Sequence, residues 1–205
     1  MSIKPIQQPW FETQRVRDDL YCITEPLYTW KNRANLWLLK GRDADLLIDT
    51  GLGVSSLKLY LADLLDKPLK VVASHVHFDH SGSCHEFDDV YIHHNEHQAL
   101  RSGDQRLILS VPKFGFVPDS DFDAIPYQGF SASDYEVRAC PWAQALQHGD
   151  IIDLGPQMCR WPFGDPGDDD FHFCGRQVTP SKPYCPEHCA VAYVTKSSSR
   201  DRSHS

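Results

Sequence analysis

The distribution of branched aliphatic side chains divides this chain of 205 residues into two parts. Residues 156–205 contain no leucine, no isoleucine and only three valines, whereas the preceding residues are rich in all three. A segment so poor in apolar side chains buries too little surface to offset the entropy that ordering costs. The sequence therefore predicts a folded domain over residues 15–155 and a poorly ordered tail, rich in cysteine and proline, over residues 156–205.

The charge and the hydropathy of the chain indicate which binding partners and which cell compartment to expect. With 20 lysines and arginines against 28 aspartates and glutamates, the chain carries a net charge of −8 and would repel a phosphate backbone, so we expect no nucleic-acid partner. No apolar run reaches the roughly 18 residues of a membrane span, and the N-terminal residues lack the apolar core of a signal peptide. We therefore expect a cytoplasmic protein whose seven cysteines are free thiols.

Short apolar runs typical of strands alternate along the chain with a segment in which apolar residues recur at helical spacing. This order predicts a layered α/β fold. Strands are predicted over residues 21–24, 35–39, 45–49, 69–74 and 90–93, with weaker strands over 135–139 and 150–154. Helices are predicted over residues 55–65 and from Asn95 through Leu100. Prolines interrupt residues 102–147, a pattern typical of a lid or a binding insertion.

The pattern His75-x-His77-x-Asp79-His80 follows directly on the buried strand 69–74. Two histidines separated by one residue point to the same side of an extended segment, so His75 and His77 can share a metal ion. A turn after Phe78 lets Asp79 and His80 face a second site close by. Imidazole and carboxylate donors suit zinc and, less specifically, iron or manganese. The alternative is a loop that is rich in histidine by coincidence, and the position at a strand end favours the metal centre.

This pattern resembles the HxHxDH signature of the metallo-β-lactamase superfamily at every fixed position. Asp49-Thr50-Gly51 resembles the strand-end aspartate and turn that lie behind the metal loop in that family. Together with residues 32–38 and 77–82, these motifs are most similar to the metallo-β-lactamase domain proteins associated with acyl-CoA thioester hydrolysis. The resemblance covers residues 15–155 and implies an αβ/βα sandwich, represented here mainly by its N-terminal half.

The resemblance also implies a mechanism. His75 and His77 would bind one Zn²⁺ ion, and Asp79 and His80 a second. Asp79 would in addition be catalytic, orienting the metal-activated water or acting as its base, and Asp49 would hold a ligand histidine in position. The implied protein is a zinc-dependent hydrolase acting on a small-molecule ester or thioester, including acyl-CoA.

The chain departs from the family pattern after Gly155. Superfamily enzymes complete their metal sites with a Gly-His turn, a later aspartate and a histidine near the C-terminus, and this sequence contains no Gly-His pair. The abrupt change in composition suggests an alternative exon or a shifted reading frame. The alternative prediction is therefore a catalytically inactive, truncated or alternatively spliced member with an incomplete metal site. The oligomeric state is left open.

Further histidines and cysteines receive structural interpretations. Cys84 is predicted to be a small buried residue, and His93, His94 and His97 to have packing roles. The tail carries Cys159, Cys174, Cys185, His188 and Cys189, which are able to bind zinc. Their spacing matches no common zinc-finger pattern, so they are predicted to be free residues of a flexible tail.

Overall fold

A computed structural model describes residues 4–109, 117–150, 152, 159, 161–163, 172–174, 176, 178–180 and 182–193. The chain divides into two units, Met1–Asp150 and Ile151–Ser205. Each unit has its own cluster of buried apolar side chains. The two units are therefore described separately.

The first unit contains a sheet of seven strands whose spatial order follows the chain order. The strands are β1 (Glu12–Arg17), β2 (Leu20–Thr24), β3 (Leu36–Leu39), β4 (Asp45–Ile48), β5 (Leu69–Ala73), β6 (Val90–His93) and β7 (Gln144–Leu146). Neighbours from β1 to β4 pair antiparallel, whereas β4, β5, β6 and β7 are parallel. The carboxyl ends of the four parallel strands therefore meet at one edge of the sheet.

Short helices and turns connect the strands of the first unit. The α-helices are α1 (Leu57–Tyr60), α2 (Phe78–Ser81), α3 (His94–Ser102) and α4 (Gln105–Ile108). The 3-10 turns are Trp30–Asn32, Ala62–Leu64, Cys84–Glu86, Asp119–Asp121 and Ala132–Asp134. Parallel strands joined by helices confirm the predicted α/β class.

Along each central strand, successive side chains point alternately to a buried face and to a half-exposed face of the sheet. Leu36 and Leu38 of β3, Leu47 of β4 and Ile92 of β6 are fully buried in the core. On the opposite face, four half-exposed side chains of neighbouring strands lie next to one another, because their residues are paired in the strand register. They are Trp37, Ile48, Val72 and Tyr91. Apolar side chains occupy both faces of these strands, which is why each strand is visible in the sequence as a short continuous apolar run.

Some predicted elements differ from the structure. The helix predicted over residues 55–65 is one short helix followed by a 3-10 turn, and the hydroxyl of Ser56 caps it by accepting from the Leu59 N–H at 3.2 Å. The second predicted helix begins at His94 rather than at Asn95, because the His93 ring accepts from the Asn95 N–H.

The strand predicted over residues 135–139 is wrong. The Val137 N–H and carbonyl are hydrogen-bonded by the side chain of Gln105, at 3.0 and 2.7 Å, instead of by a neighbouring strand. Most of the strand predicted over 150–154 lies outside the described residues. Strand β1 was missed because all six of its residues are exposed, so it carries no apolar alternation.

The described part of the second unit contains two short strands and a helix. Strands β8 (Pro162–Phe163) and β9 (His172–Phe173) pair antiparallel, and helix α5 spans Pro186–Ala192. Proline at the first helical position favours this helix start, because its missing N–H would have no partner there. Within the tail that is predicted to be poorly ordered, the residues outside the described part of the chain are 156–158, 160, 164–171, 175, 177, 181 and 194–205.

Two loops of the first unit lie in direct contact at the carboxyl edge of the sheet. One loop follows β4 and begins at Asp49; the other contains helix α2 and ends at Gly82. The Thr50 N–H donates to the His80 carbonyl at 2.7 Å, and the Gly82 N–H donates to the Gly51 carbonyl at 2.8 Å. A Cβ atom added to Gly82 would lie 2.1 Å from the Leu52 carbonyl group. Only glycine permits this approach of the two backbones.

Glu25, which directly follows β2, holds the loop that begins at Asp49 through a hydrogen bond. Its side chain is fully buried and accepts hydrogen bonds from the Trp10 indole N–H and from the Leu52 N–H, both at 2.9 Å. Burial raises the pKa of this carboxyl group from its ordinary value of 4.5 to about 7, and the two hydrogen bonds limit the rise. A titratable group therefore fixes the loop that carries Asp49.

Replacement of Gly82 by alanine is expected to destabilise the first unit by about 2–3 kcal/mol, since overpacking of this kind costs roughly 1–3 kcal/mol. The Gly82 backbone is right-handed helical, with φ of −57°, so the cost is steric and not conformational. Chemical denaturation measures the free energy of unfolding. The matched control is Gly129→Ala, where no atom lies within 4 Å but φ is +86°, so that only backbone strain of roughly 1–2 kcal/mol applies. A Gly82→Ala loss smaller than the control's would refute the close contact.

Glu25 is expected to make the stability depend on pH. Because its pKa is higher in the folded chain than in the unfolded chain, the free energy of unfolding falls as the pH rises from about 4.5 to about 7. The fall is on the order of 3 kcal/mol, since one pKa unit corresponds to about 1.4 kcal/mol. Glu25→Gln lacks this ionisation and should lose that part of the pH dependence, as measured by denaturation at a series of pH values.

Glutamine also removes one accepting oxygen, so the variant is less stable overall and the comparison concerns the pH dependence alone. Glu12→Gln, on the exposed strand β1, is the matched control and should leave the pH dependence unchanged. Parallel pH profiles for the wild type and Glu25→Gln would show that Glu25 does not titrate in this range.

Candidate metal centre

The predicted ligand residues lie where the parallel sheet ends. The buried side chains of Val71 and Ala73 fix strand β5 in the core. The segment from Ser74 to His77 follows this strand and leads into helix α2. Asp49 follows the neighbouring strand β4 at the same edge. The sheet therefore holds both loops rigidly and exposes their polar side chains at one place.

Asp49 connects the two loops through its carboxylate. It accepts from the Ser74 N–H at 2.7 Å, from the Ser74 hydroxyl at 2.9 Å and from His80 Nδ1 at 2.8 Å. A carboxylate only accepts, so His80 carries its proton on Nδ1 and directs Nε2 away from Asp49. Asp49 has φ of 64°, the left-handed conformation that aspartate and asparagine tolerate better than other side chains. This geometry suits a carboxylate that holds a ligand histidine, the role that the resemblance implies.

Asp79 and His80 have the separation of two ligands of one ion. The distance between Asp79 Oδ2 and His80 Nε2 is 3.4 Å. Two donors that lie about 2.0–2.1 Å from a tetrahedral ion are roughly 3.3–3.4 Å apart. The rings of His75 and His80 are 3.9 Å apart and those of His75 and His77 are 4.7 Å apart, between centroids. Imidazole and carboxylate donors are of the kind that zinc accepts.

The four signature residues are not drawn into one compact ligand set. Among the described residues, the group of three or more ligand side chains whose donor atoms all lie within 4.8 Å of one another is in the second unit. It consists of Cys159, Cys174, Cys185 and His188. No three of the described signature side chains meet this criterion, so the assignment of His75 and His77 to one ion and of Asp79 and His80 to a second stays a prediction.

Two of the histidines have shifted pKa values in opposite directions. Burial lowers the pKa of His75, and the nearby rings of His80 and His77 lower it further. Burial also disfavours the charged form of His80, but hydrogen bonds to Asp49 and Asp79 outweigh it and raise the pKa to about 9. The environment therefore favours the neutral form of His75, whereas the two carboxylates favour the charged form of His80.

Sequence reasoning missed several residues that position the loops. Glu25 was missed although, like Asp49, it is a carboxylate placed directly after a strand. The sequence predicts Ser74 only as the last residue of a strand. Its hydrogen bonds to Asp49 depend on how β4 and β5 pair, which the sequence does not show. Glu96 accepts from the Val76 N–H at 3.2 Å, and the Tyr135 hydroxyl donates to the Leu52 carbonyl at 2.5 Å.

The histidines beyond the signature have local partners. His97 Nε2 lies 2.8 Å from the Ala143 carbonyl oxygen, and His93 caps helix α3. Cys84 is fully buried, with its sulfur 3.5 Å from the Thr50 hydroxyl, and burial raises the pKa of this thiol to about 12. These contacts agree with the packing roles that the sequence suggests.

Two family profiles match the chain. The profile of the metallo-beta-lactamase superfamily matches residues 30–134, which include all four signature residues. The profile of the GcrA cell cycle regulator matches residues 126–203. A sequence read in a shifted frame has no reason to resemble a second family, so this match speaks against the frame shift that the composition of the tail suggests.

Individual proteins are similar to the chain over its front part. The acyl-coenzyme A thioesterase MBLAC2 of Homo sapiens is 38% identical over 161 residues, and that of Bos taurus is 39% identical over 161 residues. Each alignment covers 73% of this chain and 56% of the relative, so the chain spans about half the length of these proteins. Among solved structures, the Rm3 metallo-beta-lactamase is 20% identical, with a TM-score of 0.46 over 74% of this chain and 50% of that one.

Among the described helices, none is long and apolar enough to cross a membrane. The expected cytoplasmic location and the expected lack of a nucleic-acid partner stay predictions. The family assignment rests on the superfamily profile, which spans half of the chain, and on the relatives at 38–39% identity. This chain belongs to the metallo-β-lactamase superfamily.

Proposed function

We propose that this chain is a metal-dependent hydrolase in which water attacks the carbonyl carbon of an ester or thioester, with acyl-CoA as the substrate class. The observation that carries the proposal is the placement of His80 between Asp49 and Asp79, at distances of 2.8 and 3.4 Å. The name of the relatives, acyl-coenzyme A thioesterase, supports the choice of substrate. Because the chain spans 56% of their length, their activity is a proposal for this chain.

In this proposal, His75 and His77 hold one zinc ion, and Asp79 and His80 hold a second. Zinc bound there would supply a water of lowered pKa and would polarise the scissile carbonyl. Iron or manganese would also accept these donors. The loop contacts through Thr50 and Gly82 keep the ligand side chains in place before the substrate arrives.

Asp79 is the proposed catalytic residue. Its carboxylate lies in the first turn of α2 and retains an exposed fraction of 13%, so it is partly shielded from water but open on one side. Its oxygen would orient the attacking water and take its proton. Asp49 has a different task, because it fixes the ring of His80 through Nδ1 and leaves Nε2 for the metal.

Thioester hydrolysis tests the function directly. The full chain, purified and supplied with zinc, is expected to release free thiol from acyl-CoA. In His77→Ala the rate should fall by more than the roughly 10–100-fold that the loss of an outer partner of a metal ligand costs. His94→Ala, at an exposed position of α3, is the matched control and should keep the wild-type rate. A zinc-loaded wild type that releases no more thiol than His77→Ala would refute the proposed activity.

Asp49→Asn is expected to weaken zinc binding at this centre by about 10–100-fold, because the amide cannot replace the carboxylate that orients His80. Asparagine tolerates the left-handed backbone at this position, so the loop should keep its conformation. Competition with a chelator measures the dissociation constant. Asp43→Asn, an exposed carboxylate paired with Arg42, is the control. Equal affinities in the two variants would contradict the positioning role.

The second candidate is a catalytically inactive member with an incomplete metal site. Two observations favour it: the sequence lacks the Gly-His pair, and no three of the described signature donors lie within 4.8 Å of one another. Sites with two protein ligands each bind zinc weakly. Far less than one zinc ion per chain that depends on His77, together with no thioester hydrolysis, would support this candidate over the first.

A further inference from the structure

Three cysteines and one histidine of the second unit form a compact group, here called the Cys3His cluster: Cys159, Cys174, Cys185 and His188. Their sulfur and ring nitrogen atoms all lie within 4.8 Å of one another. Cys159 and Cys185 are buried, with exposed fractions of 1% and 2%. The cluster shares no residue with the candidate metal centre of the first unit.

The backbone brings the four residues together from two elements. Cys159 and Cys174 flank strands β8 and β9, where the Cys159 N–H donates to the Arg176 carbonyl at 2.7 Å and the Cys174 N–H to the Trp161 carbonyl at 2.9 Å. Cys185 directly precedes α5, and His188 lies in its first turn. Two ligands from a β-hairpin and two from a helix start can surround a single point.

The distances within the cluster are those of ligands around one tetrahedral ion. His188 Nδ1 lies 3.3 Å from Cys159 Sγ and 3.4 Å from Cys185 Sγ, and the sulfurs of Cys174 and Cys185 are 4.0 Å apart. With bonds of about 2.3 Å to sulfur and 2.05 Å to nitrogen, a tetrahedral zinc ion separates sulfur from nitrogen by about 3.6 Å. It separates two sulfurs by about 3.8 Å. The observed values lie close to both.

Neighbouring aromatic rings hold the histidine in place. The Trp161 ring stacks on the His188 ring at 4.9 Å and 9°, and the Tyr184 ring meets Trp161 edge-on at 5.3 Å. Cys189, the next cysteine along α5, is directed elsewhere, because its sulfur donates to the Tyr184 carbonyl at 3.2 Å. The geometry therefore selects three of the four cysteines of the tail.

The second unit has little else to stabilise it. Among its described residues, the buried apolar side chains are Cys159, Val178 and Cys185, with Trp161, Cys174 and Tyr184 packed against them. Half of this small core consists of cluster cysteines. Domains with so small a core are commonly stabilised by a metal or by disulfides, and binding of a structural zinc contributes directly to folding.

We propose that the Cys3His cluster binds one structural zinc ion. Three thiolates and one imidazole close the tetrahedral coordination, so the site leaves no position open for water or substrate. A disulfide between any two of the cysteines would leave the third cysteine and His188 without a common partner. Sequence analysis predicted free cysteines because residues 159 and 174 lie far upstream of residues 185 and 188, and only the hairpin brings them near.

Cobalt substitution tests the proposal. The full chain, produced in medium containing Co²⁺ in place of Zn²⁺, is expected to show thiolate-to-cobalt charge-transfer absorption in the near ultraviolet and the intense visible bands of tetrahedral cobalt. The proposed ligands of the first unit are histidines and an aspartate, so cobalt bound there gives no thiolate absorption. The wild-type spectrum alone therefore decides: a metal-loaded chain without thiolate charge transfer overturns the proposal.

Zinc content assigns the ligands. Elemental analysis of the full chain should show one zinc ion per chain fewer in Cys174→Ser than in the wild type, with the charge-transfer absorption lost in the cobalt form. Cys189→Ser is the matched control and should keep both, and His77→Ala should keep the charge transfer whether or not the first unit binds zinc. Unchanged zinc in Cys174→Ser, or an intrachain disulfide between two cluster cysteines found by mass spectrometry, would overturn the assignment.

Discussion

The hydrogen bonds of the Asp49 carboxylate are the constraint on which the candidate metal centre depends. One side chain joins the loop after β4 to Ser74 at the end of β5 and to His80 in α2, at distances of 2.7 to 2.9 Å. Because the carboxylate accepts from His80 Nδ1, it fixes both the proton and the direction of the ring. The parallel pairing of β4 and β5 makes this possible, since it places the ends of both strands at one edge.

A second layer of contacts holds the Asp49 loop itself. Glu25 accepts from the Leu52 N–H, and Gly82 lies so close to Leu52 that no larger residue fits. Burial of a carboxyl group disfavours its ionised form, which is why the pKa of Glu25 rises to about 7. The first unit thus keeps a buried acid whose ionised form is disfavoured, and the hydrogen bond from the Leu52 N–H to this acid holds the loop in place.

The two units differ in the metal chemistry that they offer. The superfamily signature of the first unit supplies nitrogen and oxygen donors, the kind that suits metal ions with positions open for water and substrate. In the second unit, whose described residues lie within the match to the GcrA profile, one nitrogen and three sulfur donors all lie within 4.8 Å of one another. A closed set of soft donors suits a structural ion. Membership of the metallo-β-lactamase superfamily explains the first arrangement and not the second.

The sequence by itself determined the α/β class, most strands of the sheet and the position of the HxHxDH loop after a strand, because short apolar runs and the HxHxDH spacing are local properties of the chain. Tertiary structure decided what joins distant segments: the bonds of Asp49 to Ser74 and His80, and the burial of Glu25. It also decided that Val137 bonds to the side chain of Gln105 where the sequence predicts a strand, and that Cys159 and Cys174 meet Cys185 and His188. These contacts join residues that lie far apart in the sequence, so the local pattern of residues does not contain them.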